Sequence, residues 1–245
     1  MINLCAIAKN EQLYIKEWCE HHLRLGFDKI YIFNNSETPY NIDDTRVIEL
    51  KWEGTQIPCY NFFIQNVMNK DDWTLFIDVD EFLTLEKDKN VFEFVNCYNG
   101  ADCILLNWKV YGDCGNDKYE NKPVMERFKT PAPIDCIYND TLPGFITENY
   151  HVKSFYKKTD KYAMFTNPHN VQIRNGVYVQ ASGRVCDCSP WLEPDWKYAW
   201  VNHYLTKSME EFKERRLNKT DACGNKIDEN CLRRWYKNLN KRELT

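Results

Sequence analysis

The segment with the most chemical potential is Phe76-Ile77-Asp78-Val79-Asp80-Glu81-Phe82, a hydrophobic run that leads straight into clustered carboxylates. Strand alternation puts Asp78 and Asp80 on one side and Val79 on the other. Two like charges at a strand end repel unless something positive lies between them. A divalent cation meets that need. Oxygen ligands favour Mg²⁺ or Mn²⁺, which share their coordination with phosphate oxygens. In open α/β sheets ligands bind just beyond the strand carboxyl ends. An acidic turn in solvent would use the same residue types, because Asp-x-Asp is common.

The five histidines divide by context. His21 and His22 lie within a helical pattern and read as structural. His169, in Asn167-Pro168-His169-Asn170, either touches a ligand or caps a turn. His151 has only Lys153 for company. His203 is set among Trp200 and Tyr204, where packing alone would account for it. Cys186-Asp187-Cys188, with Cys223 and Cys231, has a spacing able to hold one ion. No Cys-x-x-Cys or His partner accompanies it, so a structural zinc is disfavoured.

Elements that would position these residues follow from hydrophobic patterning. Ile2–Ala8 is a nearly continuous apolar run, as expected of a strand buried on both faces. Asn10-Glu11 opens a helix in which Ile15, Trp18, Cys19 and His22 share a face, and Gly26 supplies its stop. Lys29–Asn34 and Val47–Leu50 read as strands, Tyr60–Met68 as a helix, and Trp73–Asp78 and Asp102–Trp108 as further strands. This order predicts an α/β domain with a mostly parallel, Rossmann-like central sheet flanked by helices. From Tyr111 to Gly144 periodicity fades, and a long irregular stretch is usually a functional loop. Ser208–Asn218 and Glu229–Arg242 are expected to be helices.

Composition narrows the classes. With 245 residues the chain is long enough to bury a real core in one or two domains. A net charge of −4 disfavours generic nucleic-acid binding. Eleven scattered cysteines and no signal-like N-terminus point to reduced thiols and a cytoplasmic protein, so the sequons at Asn139 and Asn218 carry no weight. No apolar run is long enough for a membrane helix. Lys213–Arg242 carries ten Lys or Arg, with Leu232, Trp235, Tyr236 and Leu239 at helical spacing between them. Such a helix suits either peripheral contact with the inner face of a membrane or docking on the core.

Taken in order, these motifs resemble the GT-A glycosyltransferases, in particular the family 2-like and family 92-like group. The matching residues are Ala8-Lys9-Asn10-Glu11, Tyr14, Glu17-Trp18, His21-His22 and Leu25-Gly26-Phe27. Ile32-Phe33-Asn34-Asn35-Ser36, Tyr60-Asn61 and Trp73 through Phe82 follow, the last like an Asp-x-Asp motif with a Glu-Phe extension. Trp108-Lys109-Val110-Tyr111-Gly112 is similar to Trp-x-x-Phe-Gly, and His203-Tyr204, Lys207-Ser208 and Glu211-Phe212 to a C-terminal His-Tyr block.

The resemblance implies one GT-A domain over 1–212, with a donor half to about residue 110, an acceptor half beyond it, and a basic helical extension over 213–245. It implies an inverting transfer from a nucleotide-sugar donor, a UDP-sugar, to a glycan or lipid-linked glycan hydroxyl, with Mn²⁺ or Mg²⁺. Ala8, Lys9, Glu11, Asn34, Asn35 and Asn61 would line the nucleotide site. Asp78 would hold the ribose or sugar, and Asp80 and His203 the metal. A general base would come from Asp113, Asp117, Glu120, Asp135 or Glu148, with Asp113 preferred because it follows Tyr111-Gly112. A metal-dependent nucleotidyl- or phosphotransferase and an inactive carbohydrate-binding relative are the competing readings; the sequence has no P-loop.

Overall fold

The computed structural model describes residues 1–134, 148–216 and 228–244. Its strands are β1 (Ile2–Ala8), β2 (Lys29–Asn34), β3 (Val47–Lys51), β4 (Trp73–Phe76), β5 (Glu81–Leu85) and β6 (Cys103–Val110). They continue with β7 (Val152–Lys157), β8 (Ala163–Phe165), β9 (Val171–Ile173), β10 (Tyr178–Gln180), β11 (Val185–Cys186) and β12 (Ala199–His203). The helices are α1 (Ile15–Arg24), α2 (Gln56–Asn66), α3 (Val91–Asn96), α4 (Val124–Arg127), α5 (Met209–Arg216) and α6 (Glu229–Asn240).

The architecture is α/β, with a mixed, mostly parallel sheet in the order β11-β10-β6-β7-β4-β1-β2-β3. The run β3-β2-β1-β4 is parallel throughout. Here the fold corrects the expected open, Rossmann-like sheet. The antiparallel strand β7 is inserted between β4 and β6. β6 then divides its pairing, with β10 along Cys103–Leu105 and β12 along Trp108–Val110. β12 in turn pairs antiparallel with β5, so the sheet curls into a half-barrel.

Alternation along the strands sorts the core into two layers. Leu4, Ala6, Ile30, Ile32 and Leu75 face α1 and α3 on one side. Cys5, Tyr31, Phe33 and Phe76 face α2 and the β8–β9 pair on the other. α1 buries Ile15, Trp18, Cys19 and His22, as its spacing requires. It ends at Gly26, whose φ of 91° lets the chain turn back. α2 starts four residues earlier than its apolar pattern suggests, because Pro58 is tolerated within a first helical turn. α6 is capped by Asp228, which accepts from the Cys231 N–H at 2.9 Å. Leu232, Trp235, Tyr236 and Leu239 on its apolar face join the α1-side core, so this face is used in docking.

Candidate functional site

The carboxylate segment is a turn, not the end of a strand. β4 stops at Phe76, and Ile77–Asp80 bridges to β5. Strand alternation therefore does not apply, and the two carboxylates diverge. Asp78 Oδ1 accepts from Gln56 Nε2 at 2.6 Å, and Asp78 Oδ2 from Lys153 Nζ at 2.8 Å. Lys153 Nζ also lies 3.2 Å from Glu81 Oε1. The positive charge that the turn requires is thus supplied to Asp78 by a lysine, which corrects the expectation of an ion between the two aspartates. Burial opposes the Lys153 charge, but Asp78 and Glu81 outweigh it and push its pKa up.

Topology places that lysine. β7 pairs with β4 in the register Leu75 to Phe155. Two residues further on, that register brings Lys153 level with Ile77, beside the turn. Lys153 is the missed residue at this site. Its one signal was a lysine set beside Ser154 in a short run whose other residues are apolar or aromatic, Val152-Lys153-Ser154-Phe155-Tyr156.

Asp80 turns the other way. In the β5–β12 pairing His203 lies opposite Glu81, and the Tyr204 N–H donates to the Asp80 carbonyl at 2.9 Å. His203 Nε2 consequently sits 3.7 Å from Asp80 Oδ1, with both side chains nearly buried. This spacing is longer than a hydrogen bond. The His203 ring lies against Trp108, at 4.2 Å between centroids, and Trp108 also contacts His151 and His169. Burial pulls the pKa of His151 down to about 4 and that of His169 well below the usual histidine range, so both rings are neutral at pH 7.

Other expected residues are drawn in or set apart. Glu11 is buried in the turn before α1 and pairs with Arg215 of α5. Asp80 and Glu11 both act on the Arg215 charge. Ala8 ends β1 and Lys9 is exposed beside it. Asn34 spends its amide on its own turn and on β3, donating to Thr38 O and to Glu49 Oε1 and accepting from the Ser36 N–H. Asn35 donates to Trp52 O and Gly54 O. Asn61 exchanges two hydrogen bonds with the Phe165 backbone, tying α2 to β8.

Asp113 is buried under α6. Its carboxylate accepts from Tyr236 Oη and from Arg242 Nε at 2.7 Å, and its N–H donates to Asn240 Oδ1. A Cβ at Gly112 would lie 2.6 Å from Asn240 Oδ1, so a larger residue there would push the Asn240 side chain off the Asp113 N–H. Asp117 and Glu120 are exposed and paired with Arg242 and Lys122. Glu148 is buried beside His151. Asp135 lies outside the described residues, as do Cys223 and both sequon asparagines. His21 and His22 are structural: His21 Nε2 meets Leu83 O at 2.8 Å, and His22 Nε2 meets the Leu83 N–H at 3.2 Å.

Metal donors are few. Among the described residues no group of three or more His, Cys, Asp or Glu could hold an ion by itself. Cys188 is engaged with Asn170 and Val171, and the nine described cysteines are free thiols. One carboxylate and one imidazole, Asp80 and His203, fit an ion that takes its other ligands from phosphate and water. They do not form an all-protein cage.

Comparison with known proteins points to glycosyltransferases at a distance. The chain is 22% identical over 196 residues to a glycosyltransferase family 92 protein of Ricinus communis, covering 69% of this chain and 35% of that protein. It is also 22% identical over 207 residues to a family 92 protein of Oryza sativa subsp. japonica, covering 74% and 35%. The chain therefore spans about a third of the length of these curated relatives. The kinship is at superfamily level. No family model matches. The solved structure of bifunctional IspDF from Campylobacter jejuni aligns over 53% of this chain and 38% of its own, with a TM-score of 0.32 and 16% identity. No helix among the described residues is long and apolar enough to cross a membrane.

Proposed function

We propose that this chain is a GT-A-type glycosyltransferase that moves a sugar from a nucleotide-sugar donor, a UDP-sugar, to a glycan hydroxyl. The observation that carries the reading is the meeting of Asp80 with His203 at the curled edge of the sheet, from positions far apart in sequence. The distant family 92 similarity supports it.

Asp80 and His203 would hold a Mn²⁺ or Mg²⁺ ion, and imidazole favours Mn²⁺. When bound, that ion would neutralise charge building up on the departing diphosphate. Asp78 has a different task. Its side chain is 34% exposed, and its carboxylate is fixed by Gln56 and Lys153, so it can accept hydrogen bonds from ribose or sugar hydroxyls without having to reorder. Glu11, held by Arg215, would flank the nucleotide end. Asn34 and Asn61, whose amides are already used, are assigned to shaping the scaffold. Asp113 is assigned to anchoring α6, since a carboxylate engaged by Tyr236 and Arg242 is poorly placed to take a proton from an acceptor.

Calorimetric titration with UDP tests the reading. Wild-type protein should bind UDP at least tenfold more tightly with Mn²⁺ than without it. Asp80→Ala should lose that difference and keep its fold. A protein that binds UDP equally with and without Mn²⁺, or an Asp80→Ala variant that retains the gain, would defeat the metal assignment.

A further inference from the structure

With Asp113 spent on α6, the transfer proposed above lacks a group to take the acceptor proton. A chain of ring contacts between the surface and Asp80 holds one. Trp191 is 46% exposed and makes an edge contact with the His151 ring, at 6.1 Å between centroids. His151 lies 4.8 Å from Trp108, whose ring packs on His203 beside Asp80. Backbone bonds fix the outer end. Trp191 and His151 form an antiparallel bridge, and the Leu192 N–H donates to Tyr150 O at 2.8 Å. The Ser189 hydroxyl donates to Trp191 O and accepts from the Trp191 N–H. The cluster belongs to β6, the start of β7 and the loop before β12, and in the sheet order β4 separates these strands from β1 and β2. Neither Trp191 nor His151 belongs to the motifs that carry the family resemblance.

His151 Nδ1 lies 3.1 Å from the Glu148 carbonyl oxygen. A carbonyl only accepts, so Nδ1 carries the proton and Nε2 keeps its lone pair. Nε2 makes no hydrogen bond among the described residues, and the side chain is 17% exposed. The titratable and charged groups around the ring are Glu148, Lys153 and His169. Glu148 Oε2 is 3.8 Å from Nδ1, and the His169 ring is 4.7 Å away. A carboxylate behind an imidazole stabilises the imidazolium that forms when the ring takes a proton. Burial, with Lys153, holds the His151 pKa down to about 4. That is the range of an ordinary carboxylate, so the ring is unprotonated at pH 7 and as basic as an Asp or Glu in the same role.

We propose that His151 is the general base of the transfer and that Trp191 holds the acceptor sugar beside it. The inference rests on the reading above. The C–H bonds on the face of a sugar ring carry slight positive charge and suit the negative face of an indole. An exposed tryptophan whose backbone is already fixed offers that face at little cost in ordering. In the step, the acceptor hydroxyl gives its proton to His151 Nε2 as its oxygen bonds to the anomeric carbon of the donor sugar. The bond from that carbon to the diphosphate oxygen breaks, and its electron pair leaves with UDP. The acceptor is an uncharged sugar. Glu148 would repel an anion, and Lys153 is already engaged by Asp78 and Glu81.

The test incubates the full chain with a panel of UDP-sugars, Mn²⁺ and a mixture of neutral oligosaccharides, and reads UDP release. His151→Gln should lower kcat at least a hundredfold. Trp191→Ala should raise the oligosaccharide KM at least tenfold and change kcat less, and Trp191→Phe, which keeps a ring face, should recover most of that loss. Melting of the Trp191 variants should match wild type, because the side chain is exposed. Diethyl pyrocarbonate, which acylates accessible neutral imidazoles, gives a readout without turnover. It should label His151 ahead of the buried His22 and His203, and the oligosaccharides should slow that labelling in wild type but not in Trp191→Ala. UDP release that His151→Gln retains, or His151 labelled no faster than His22, overturns the base. An oligosaccharide KM unchanged in Trp191→Ala overturns the stacking. No release from any UDP-sugar, with protection of His151 that depends on Trp191, removes the donor reading and leaves a saccharide site. No release and no protection removes both.

Discussion

Replacing Lys153 by methionine would leave Asp78 and the fully buried Glu81 facing each other with no cation between them. Removing one partner of a buried charge cluster costs about 3–5 kcal/mol, because the charge left behind keeps its desolvation penalty. Lys153→Met should therefore lower unfolding stability by about that amount in a urea titration, and adding Glu81→Gln should restore part of it. Additive losses in the double variant would show that the lysine does not act through Glu81. This cluster also marks the limit of sequence reading for single residues. Asp78 and Asp80 stood out because two acids closely follow an apolar run, and His203 because its block resembles one in a known family. Lys153 belongs to a strand that folds back between two others. No local pattern indicates that its ammonium ends beside a turn 75 positions away.

At the scale of elements, the contact between α1 and β5 carries a pH dependence that can be worked out from its hydrogen bonds. His22 Nδ1 faces the Trp18 carbonyl and so carries the proton, while Nε2 accepts from the Leu83 N–H. Protonating Nε2 would set a donor against a donor inside the core. Burial accordingly holds the His22 pKa well below its ordinary value. The unfolded chain titrates near 6.5, so below that pH it binds a proton that the folded chain refuses. The stability concerned is present above pH 6.5 and is lost progressively as the pH falls. Unfolding free energy should drop between pH 7.5 and 5.0, and His22→Gln should flatten that slope; an equal slope in the variant would exclude this histidine as the cause. The first two strands were legible to the residue because they are long, apolar and buried on both faces. The strands after Tyr111 were not. β8, β9 and β10 have three residues each, too few to display a period, and polar residues interrupt β7.

Across the whole molecule, α6 decides whether the basic C-terminal stretch is a surface tool or part of the fold. Its sequence allowed both readings, because an amphipathic basic helix has the same pattern whether its apolar face meets lipid or protein. In the structure that face is spent. Trp235 and Tyr236 meet Phe212 of α5, and Tyr236 with Arg242 closes over the Asp113 loop. Two of the basic residues are also engaged, Arg233 with Glu229 and Lys237 with Glu243. A helix that buries its anchors cannot also insert them in a membrane without leaving the core. Trp235→Ala should therefore act as a core truncation, costing about 3–5 kcal/mol of unfolding stability. The wild-type chain should not sediment with anionic phospholipid vesicles at physiological salt. Vesicle binding that Trp235→Ala abolishes without loss of stability would show the opposite, that the helix leaves the core to meet lipid. The expected result ties α6 to the proposed site only indirectly. It covers the loop that follows the C-terminal end of β6, the end that pairs with β12 and sets His203 beside Asp80.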